Sequence, residues 1–387
     1  MPTTAPKPAA KARTVPVPDS GVSPAGATVG VEEEYHLLDP ETARLMSCPD
    51  LSARALAGSA GAHLQPEMLT SQLEAATDVC TDLEQVRREI VVMRREAAAA
   101  AAQVGAAVLA TSTHPFASLS EIEVMARPRY ASLVERFGTI VTQFNLCGCH
   151  VHVSVPNLDT AVAIMNLARP YLPLLAALTG SSPFHEGRDT GYDSFRLPWL
   201  ALWPQGGPPP YLQSAQGYLA TVAQGAAIGV IEDASAMLWD VRPSSKYPTL
   251  EFRAGDVCTD VDDAVLYAGI VRSLVRTLAA RLTARMPSPR IADQALRAAR
   301  WRAARYGLSN TLWSPARSVL VPAAVALEDL IGELRTDLDD HDEYVVIAEL
   351  LAALRRRGTS AARQRQTFAA TGSLGEVTRA AMRLTSM

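Results

Sequence analysis

Apolar and polar residues alternate with a period of two at three places along this chain, and each alternation predicts a strand with one apolar and one polar face. Order is expected to begin at Ala27, with a first strand running to Leu38 and closed by the turn Asp39-Pro40-Glu41-Thr42. In it Glu32, Glu34 and His36 share a face, while Glu33 departs from the otherwise apolar opposite side. From Cys149 to Val155, His150, His152 and Ser154 point one way and Cys149, Val151, Val153 and Val155 the other. From Thr249 to Ala254, Thr249, Glu251 and Arg253 oppose Leu250 and Phe252. A shorter apolar run, Ala107 to Thr111, predicts a further strand that ends in the loop Ser112-Thr113-His114-Pro115.

Elsewhere the period is helical. A helix is expected over about Gln65 to Ala76, which would set Glu67, Thr70, Ser71 and Glu74 on one stripe. A longer one starts near Thr81, with Val86, Ile90, Met93 and Ala97 on its apolar stripe and Arg87, Arg88, Arg94 and Arg95 outside it. Another spans about Thr160 to Thr179. It leads into a Gly/Pro-rich stretch from Ser181 to Pro210, a length of loop that more often carries function than idles. From Val261 the pattern is helical almost to the end, with the acidic stretch Asp337 to Glu343 reading as a solvated connection.

Composition narrows the function classes. The 387 residues are 48% hydrophobic and 20% charged, an ordinary globular mixture. With 36 basic against 40 acidic side chains and a formal charge of −4, no basic surplus marks a nucleic-acid partner. The five cysteines form no CxxC pair and read as reduced, buried thiols, the pattern of a cytoplasmic protein. No apolar run approaches the roughly 20 residues a membrane helix needs. Residues 1–27 are rich in Pro, Ala, Thr and Lys without an apolar signal-peptide region, and read as a disordered tail.

The polar faces of the three strands concentrate Glu, His and Arg. A solvated face of an antiparallel sheet is the bland reading of any one of them. Repeated on three strands, it places several carboxylates together, an arrangement that repels itself unless a divalent cation compensates, and glutamate oxygens suit Mg²⁺. The chain has no GxxxxGK[ST] loop, no GxGxxG and no HExxH, so nucleotide phosphates would have to be met by metal on carboxylates and by arginines. In the long loop Arg188 could grip a substrate carboxylate with its planar fork, or pair with Asp189 or Asp193 to pin the loop.

Eight segments in order resemble the type-2 glutamate–cysteine ligase family of carboxylate–amine ligases. They are Val29-Gly30-Val31-Glu32-Glu33-Glu34, Leu73-Glu74-Ala75-Ala76-Thr77-Asp78-Val79-Cys80, Thr113-His114-Pro115-Phe116 and Gly148-Cys149-His150-Val151-His152-Val153. Further on come Ser182-Pro183-Phe184 with Gly187-Arg188-Asp189-Thr190, Trp239-Asp240-Val241-Arg242-Pro243-Ser244, Glu251-Phe252-Arg253 and Arg305-Tyr306-Gly307-Leu308. The resemblance implies an α+β, glutamine-synthetase-like fold: a curved, mainly antiparallel sheet forming a funnel, with helices packed on its outer face. Residues 28–387 would make up a single ligase catalytic domain.

It further implies Mg²⁺ held by Glu32, Glu34, Glu67, Glu74, His150 and Glu251, with His152 lining the same face. Arg253 would contact the transferred phosphoryl group, and Arg188 with Tyr192 would hold the amino-acid substrate. The implied partners are small molecules: ATP, glutamate or a related carboxylate, and an amine such as cysteine, with no nucleic acid and no membrane. A homo-oligomer stays open. One departure bears on the substrate, because His185 stands where the family commonly carries an aromatic residue, often tryptophan. Two other readings compete, a zinc metallohydrolase built on His150, His152 and Glu251, and a non-catalytic regulator that has kept the fold. Five carboxylates favour a hard ion over zinc.

Overall fold

Strand β1 (Val29–Leu38) is the centre around which the rest of the main sheet assembles. The structure is a computed structural model that describes residues 26–58, 61 and 63–386, so all of the expected N-terminal tail before Gly26 lies outside the described residues. Beside β1 lie β2 (Leu64–Pro66), β3 (Gln72–Ala76), β4 (Ala107–Leu109) and β5 (Gly148–Ser154). The hairpin strands β6 (Phe184–His185) and β7 (Arg188–Asp189) stand apart, and β8 (Val241–Pro243) and β9 (Thr249–Asp256) complete the main sheet. Its order is β2-β3-β1-β5-β9-β8 with β4 also on β1, seven strands in all, and every pairing is antiparallel. The α+β expectation holds, but the sheet is open, with β2 and β8 as its edges, and does not curl into a closed funnel.

One face of the sheet is the core. Val29, Val31, Tyr35 and Leu37, then Cys149, Val151 and Val153, then Leu250 and Phe252, are almost wholly buried. Against them pack the helices Leu83–Ala102, Leu158–Ala168 and Val261–Thr283. The stripe Val86, Ile90, Met93 and Ala97 is buried as its spacing requires. Arg94, expected outside that stripe, is buried as well, and it explains the odd position of Glu33. Its Nε and Nη2 donate to the Glu33 carboxylate at 2.8 and 2.7 Å, and Tyr35 Oη donates to the same group at 2.7 Å. A carboxylate on an apolar face is tolerable only when so paired.

Five sequence expectations are corrected. The helix over Gln65 to Ala76 does not form: the segment is β2, a turn and β3, because Leu73 and Ala75 bury themselves by pairing with β1 and tertiary pairing outweighs the local helical spacing. The helix expected over Thr160 to Thr179 breaks into Leu158–Ala168 and Leu172–Thr179 around Arg169-Pro170-Tyr171, where proline lacks the N–H to continue it. Together they make one 22-residue stretch long and apolar enough to cross a membrane, which the sequence reading had excluded; 83% of its most apolar window is buried inside the protein, as in a core helix. The helical C-terminal third contains a hairpin, β10 (Thr311–Ser314) and β11 (Val319–Pro322). The acidic stretch at Asp337 to Glu343 is not merely solvated, since Arg276 Nη2 of the central helix donates to Asp337 at 2.9 Å and to Glu343 at 2.6 Å.

Candidate active site

The opposite face of the sheet carries the polar chemistry, and strand register decides which side chains meet. Residues directly opposite on neighbouring strands share a face. Glu34 opposes Glu74, Glu32 opposes His150, His152 opposes Glu251, and Glu251 opposes Arg242. A register shift between Cys149 and Val151 falls opposite Arg253. Such a bulge re-aims a side chain; Arg253 Nη1 comes within 3.4 Å of His150 Nδ1.

The six residues expected to hold metal fall into two trios, Glu32–His150–Glu251 and Glu34–Glu67–Glu74, in each of which one ligand atom per residue lies within 4.8 Å of the others. Glu67 reaches its trio from the turn between β2 and β3, not from a helix stripe. His152 joins the first trio from the side, its Nε2 3.3 Å from Glu32 and its Nδ1 2.9 Å from Thr249 Oγ1. A third trio, His63, Asp78 and Glu89, lies elsewhere, with His63 Nδ1 3.0 Å from Glu96.

The two sheet-face trios differ in charge compensation. Burial alone would raise the Glu32 carboxyl, but hydrogen bonds with His150 and His152 hold it well below the usual range. Glu251 is buried too, yet it sits well below its ordinary value because Arg242 and Arg253 flank it. Arg242 Nε donates to Glu251 at 2.9 Å, and Arg253 makes a further short contact. His150 is lowered by burial and by Arg253, whereas in His152 burial is overcome by Glu251 and Glu32 and the ring is raised. In the second trio Arg253, joined at Glu67 by Arg129, opposes the crowding only in part. Burial and Glu34 push Glu67 up to about 7, and burial with Glu32, Glu67 and Glu34 pushes Glu74 well above the carboxylate range.

That unmet charge fits a hard divalent cation, and so does His150 Nε2, which is buried without a hydrogen-bond partner 3.9 Å from Glu34. The Glu34–Glu67–Glu74 trio meets the donor chemistry of Mg²⁺ directly. The Glu32–His150–Glu251 trio, already neutralised in large part by Arg242 and Arg253, suits an anion-bearing neighbour as well as a metal.

Arg188 and Tyr192 lie in the loop beyond this face. Arg188 is exposed on β7 and, among the described residues, enters no ion pair; Asp189 and Asp193 are held instead by Arg365, from the helix Ser360–Thr371. Tyr192 Oη accepts from Trp301 Nε1 at 3.0 Å, and its backbone oxygen accepts from Arg365 at 2.7 Å. The loop is tied to the site through Asp256, at the end of β9, which accepts from Ser181 N, Ser182 Oγ and Ser194 Oγ at 3.0, 2.7 and 2.8 Å. Sequence reasoning gave no role to Arg242, Asp256 or Arg365. Arg242 follows the alternation of its strand and was findable from it; Asp256 lies past the expected end of its strand and off the alternation, beyond the register shift, and Arg365 sits on a helix with no local sign of its target.

The chain's family is one of ATP-dependent ligases, and the fold and the site fit that class. The chain resembles in fold a glutamate–cysteine ligase from Francisella tularensis, solved with AMP, at 12% identity and a TM-score of 0.68 over 93% of this chain and 88% of that one. A bifunctional glutathione synthetase from Pasteurella multocida gives 13% and 0.67, over 94% of this chain and 52% of that longer one. The chain belongs to glutamate–cysteine ligase family 2, which it matches over residues 28–380. A relative from Salinispora arenicola, provisionally named glutamate–cysteine ligase 2, is 41% identical over 342 residues, covering 88% of this chain and 90% of its own. One from Streptomyces coelicolor, named in the same provisional way, is 39% identical over 360 residues, 92% of this chain and 99% of its own.

Proposed function

We propose that residues 28–387 form a single catalytic domain that joins the side-chain carboxylate of glutamate to an amine, with cysteine as the first acceptor to test, consuming ATP and releasing ADP and phosphate. The observation that carries this reading is the pair of trios on one sheet face, one with its negative charge unmet and the other flanked by arginines. Glu34, Glu67 and Glu74, with Glu32, His150 and Glu251 beside them, would hold Mg²⁺, which would offset the negative charge of nucleotide phosphates. Arg253 lies where it can offset charge developing on a transferred phosphoryl group, and His152 steadies Glu32. Arg188 takes the substrate's carboxylate, with Tyr192 beside it. The glutamate side-chain carboxylate attacks the γ-phosphorus, ADP leaves, the amine attacks the acyl phosphate and orthophosphate departs. The protein supplies position and charge neutralisation.

Incubation with Mg²⁺, ATP, glutamate and a panel of amines, followed by mass spectrometry, tests the reading. ADP and phosphate should appear in step with a γ-glutamyl amide, and oxygen-18 in the glutamate side chain should pass into the phosphate. AMP as the stoichiometric product would sink the acyl-phosphate route. Hydrolytic turnover with Zn²⁺ and no ATP would favour the metallohydrolase. Arg188→Lys should raise KM for glutamate by at least about tenfold, the loss of one charge-assisted fork contact, and leave KM for ATP unchanged.

A further inference from the structure

The helix Leu83–Ala102 carries Glu89 and Glu96 two turns apart on one stripe. Against that stripe the chain brings His63, directly before β2, and Asp78, just past the end of β3. One donor atom each from His63, Asp78 and Glu89 lies within 4.8 Å of the other two, and none of these residues belongs to the sheet-face trios.

Three observations set this cluster apart from an ordinary patch of surface acid. The first is the orientation of the imidazole. Glu96 Oε2 lies 3.0 Å from His63 Nδ1 and accepts from the His63 backbone N at 3.3 Å. A neutral ring bonded in this way gives its Nδ1 proton to Glu96 and keeps its lone pair on Nε2, which faces Glu89 Oε2 at 3.7 Å. Histidines that bind metal use this arrangement, with one ring nitrogen on a carboxylate and the other on the ion. The second is spacing. A separation of 3.7 Å is too long for a hydrogen bond, but two ligands of one tetrahedral ion, each about 2.1 Å from it, stand about 3.4 Å apart. The third is charge. Among the described residues no arginine or lysine pairs with Asp78, Glu89 or Glu96, although the same helix pairs Arg88 with Glu84 and Arg94 with Glu33.

We propose that His63 Nε2, Asp78 and Glu89 hold one first-row divalent cation of the zinc kind, with water in the fourth position and Glu96 as the carboxylate that orients the ring. The nitrogen donor selects such an ion over Mg²⁺, which the all-oxygen trio Glu34–Glu67–Glu74 suits. Bound there, the ion ties the start of β2 and the end of β3 to the helix behind them. The chain between those two anchor points carries Glu67 and Glu74, so the ion pins both ends of the segment that presents them. It takes part in no catalytic step, and the inference does not rest on the ligase reading.

Calorimetric titration of the metal-free full chain with Zn²⁺ in excess Mg²⁺, paired with thermal melts, tests it. The wild type should take up one equivalent of Zn²⁺ that His63→Ala does not. At about ten times Kd the wild type should melt about 2 °C higher than without Zn²⁺, and His63→Ala should show no such rise. Glu96→Gln should bind the ion about 10- to 100-fold more weakly, the loss expected when the partner behind a ligand is removed. Asp78 is exposed, so Asp78→Asn tests the site without disturbing the core, and it should weaken Zn²⁺ by about tenfold or more. Glu74→Gln should leave the Zn²⁺ equivalent in place. Equal Zn²⁺ uptake by the wild type and Asp78→Asn, loss of the equivalent in Glu74→Gln, or a wild-type Kd weaker than about 1 mM, the behaviour of loose surface carboxylates, would overturn the site. If His63→Ala does not fold, Asp78→Asn and Glu96→Gln decide the question by themselves.

Discussion

Glu251 and Glu74 lie on the same face of the same sheet, the first buried and the second half-buried, and their carboxyls are driven in opposite directions. Around Glu251 the chain supplies its own counter-charge, Arg242 from β8 and Arg253 two residues along β9. Around Glu74 the carboxylates prevail, Glu34 across the strand pair and Glu67 from the preceding turn, and the pull of Arg253 does not offset them. Residue type alone does not distinguish the two positions; neighbours do. Where the protein provides cations, the carboxylate is a fixed structural anion that also holds the arginine to which the proposed mechanism gives the phosphoryl group. Where it provides too few, the missing charge must come with the ligand, and holding that trio without metal costs stability.

The comparison is most exposed at Glu251. Glu251→Gln leaves Arg242, which is almost wholly buried, facing a neutral amide. Removing one member of a buried pair costs about 3 kcal/mol or more, so the melting temperature should fall sharply, and turnover should be lost as Arg253 is no longer aimed. Thermal melts with and without Mg²⁺, alongside ATP turnover, measure both. A melt within a degree or so of the wild type would mean that Arg242 is satisfied by the carbonyls of Ala234, Ser235 and Met237 alone.

At Glu74 the same change has the opposite sign for stability. Glu74→Gln relieves repulsion among three carboxylates, so the metal-free protein should melt no lower than the wild type and by this argument slightly higher. Activity should fall by about 100-fold at ordinary Mg²⁺, since even residues behind the ligands cost 10- to 100-fold at metal sites. Partial recovery at high Mg²⁺ would fit a weakened site. A variant that is both unstable without metal and fully active with it would break the comparison.

These contrasts mark what was legible in the sequence. Alternation gave the polar faces of β1, β5 and β9, and with them Glu32, Glu34, His150, His152, Glu251 and Arg253, because a two-residue period maps residues to faces without knowledge of the fold. It brought Glu67 and Glu74 to attention through a helix that does not exist; the spacing of Glu67, Thr70, Ser71 and Glu74 matches a helical stripe, but Leu73 and Ala75 gain more by joining the sheet. Glu33 could be seen only as a misfit, since its partner Arg94 lies sixty-one positions away on another element. Arg365 was out of reach for the same reason. Long-range pairs leave no periodic trace, and they are what fix the loop bearing Arg188 and the core side of β1.

The smallest expected effect separates the two trios most cleanly. A ligand that binds only the folded state stabilises it by RT ln(1 + [L]/Kd), about 1.4 kcal/mol at ten times Kd, which for a chain of this size is a rise of about 2 °C in Tm. The wild type should show that rise on going from chelator to Mg²⁺. Glu74→Gln should show little of it, because the site has lost one of its three carboxylates. Glu251→Gln, although less stable throughout, should keep most of the rise, since Glu34, Glu67 and Glu74 retain the unmet charge that draws the ion. Loss of the rise in both variants would show that the two trios bind metal as one unit, with Arg242 and Arg253 serving the ion's outer ligands instead of a separate anion. The distinction between a self-compensated and an uncompensated half of the site would then have to be given up.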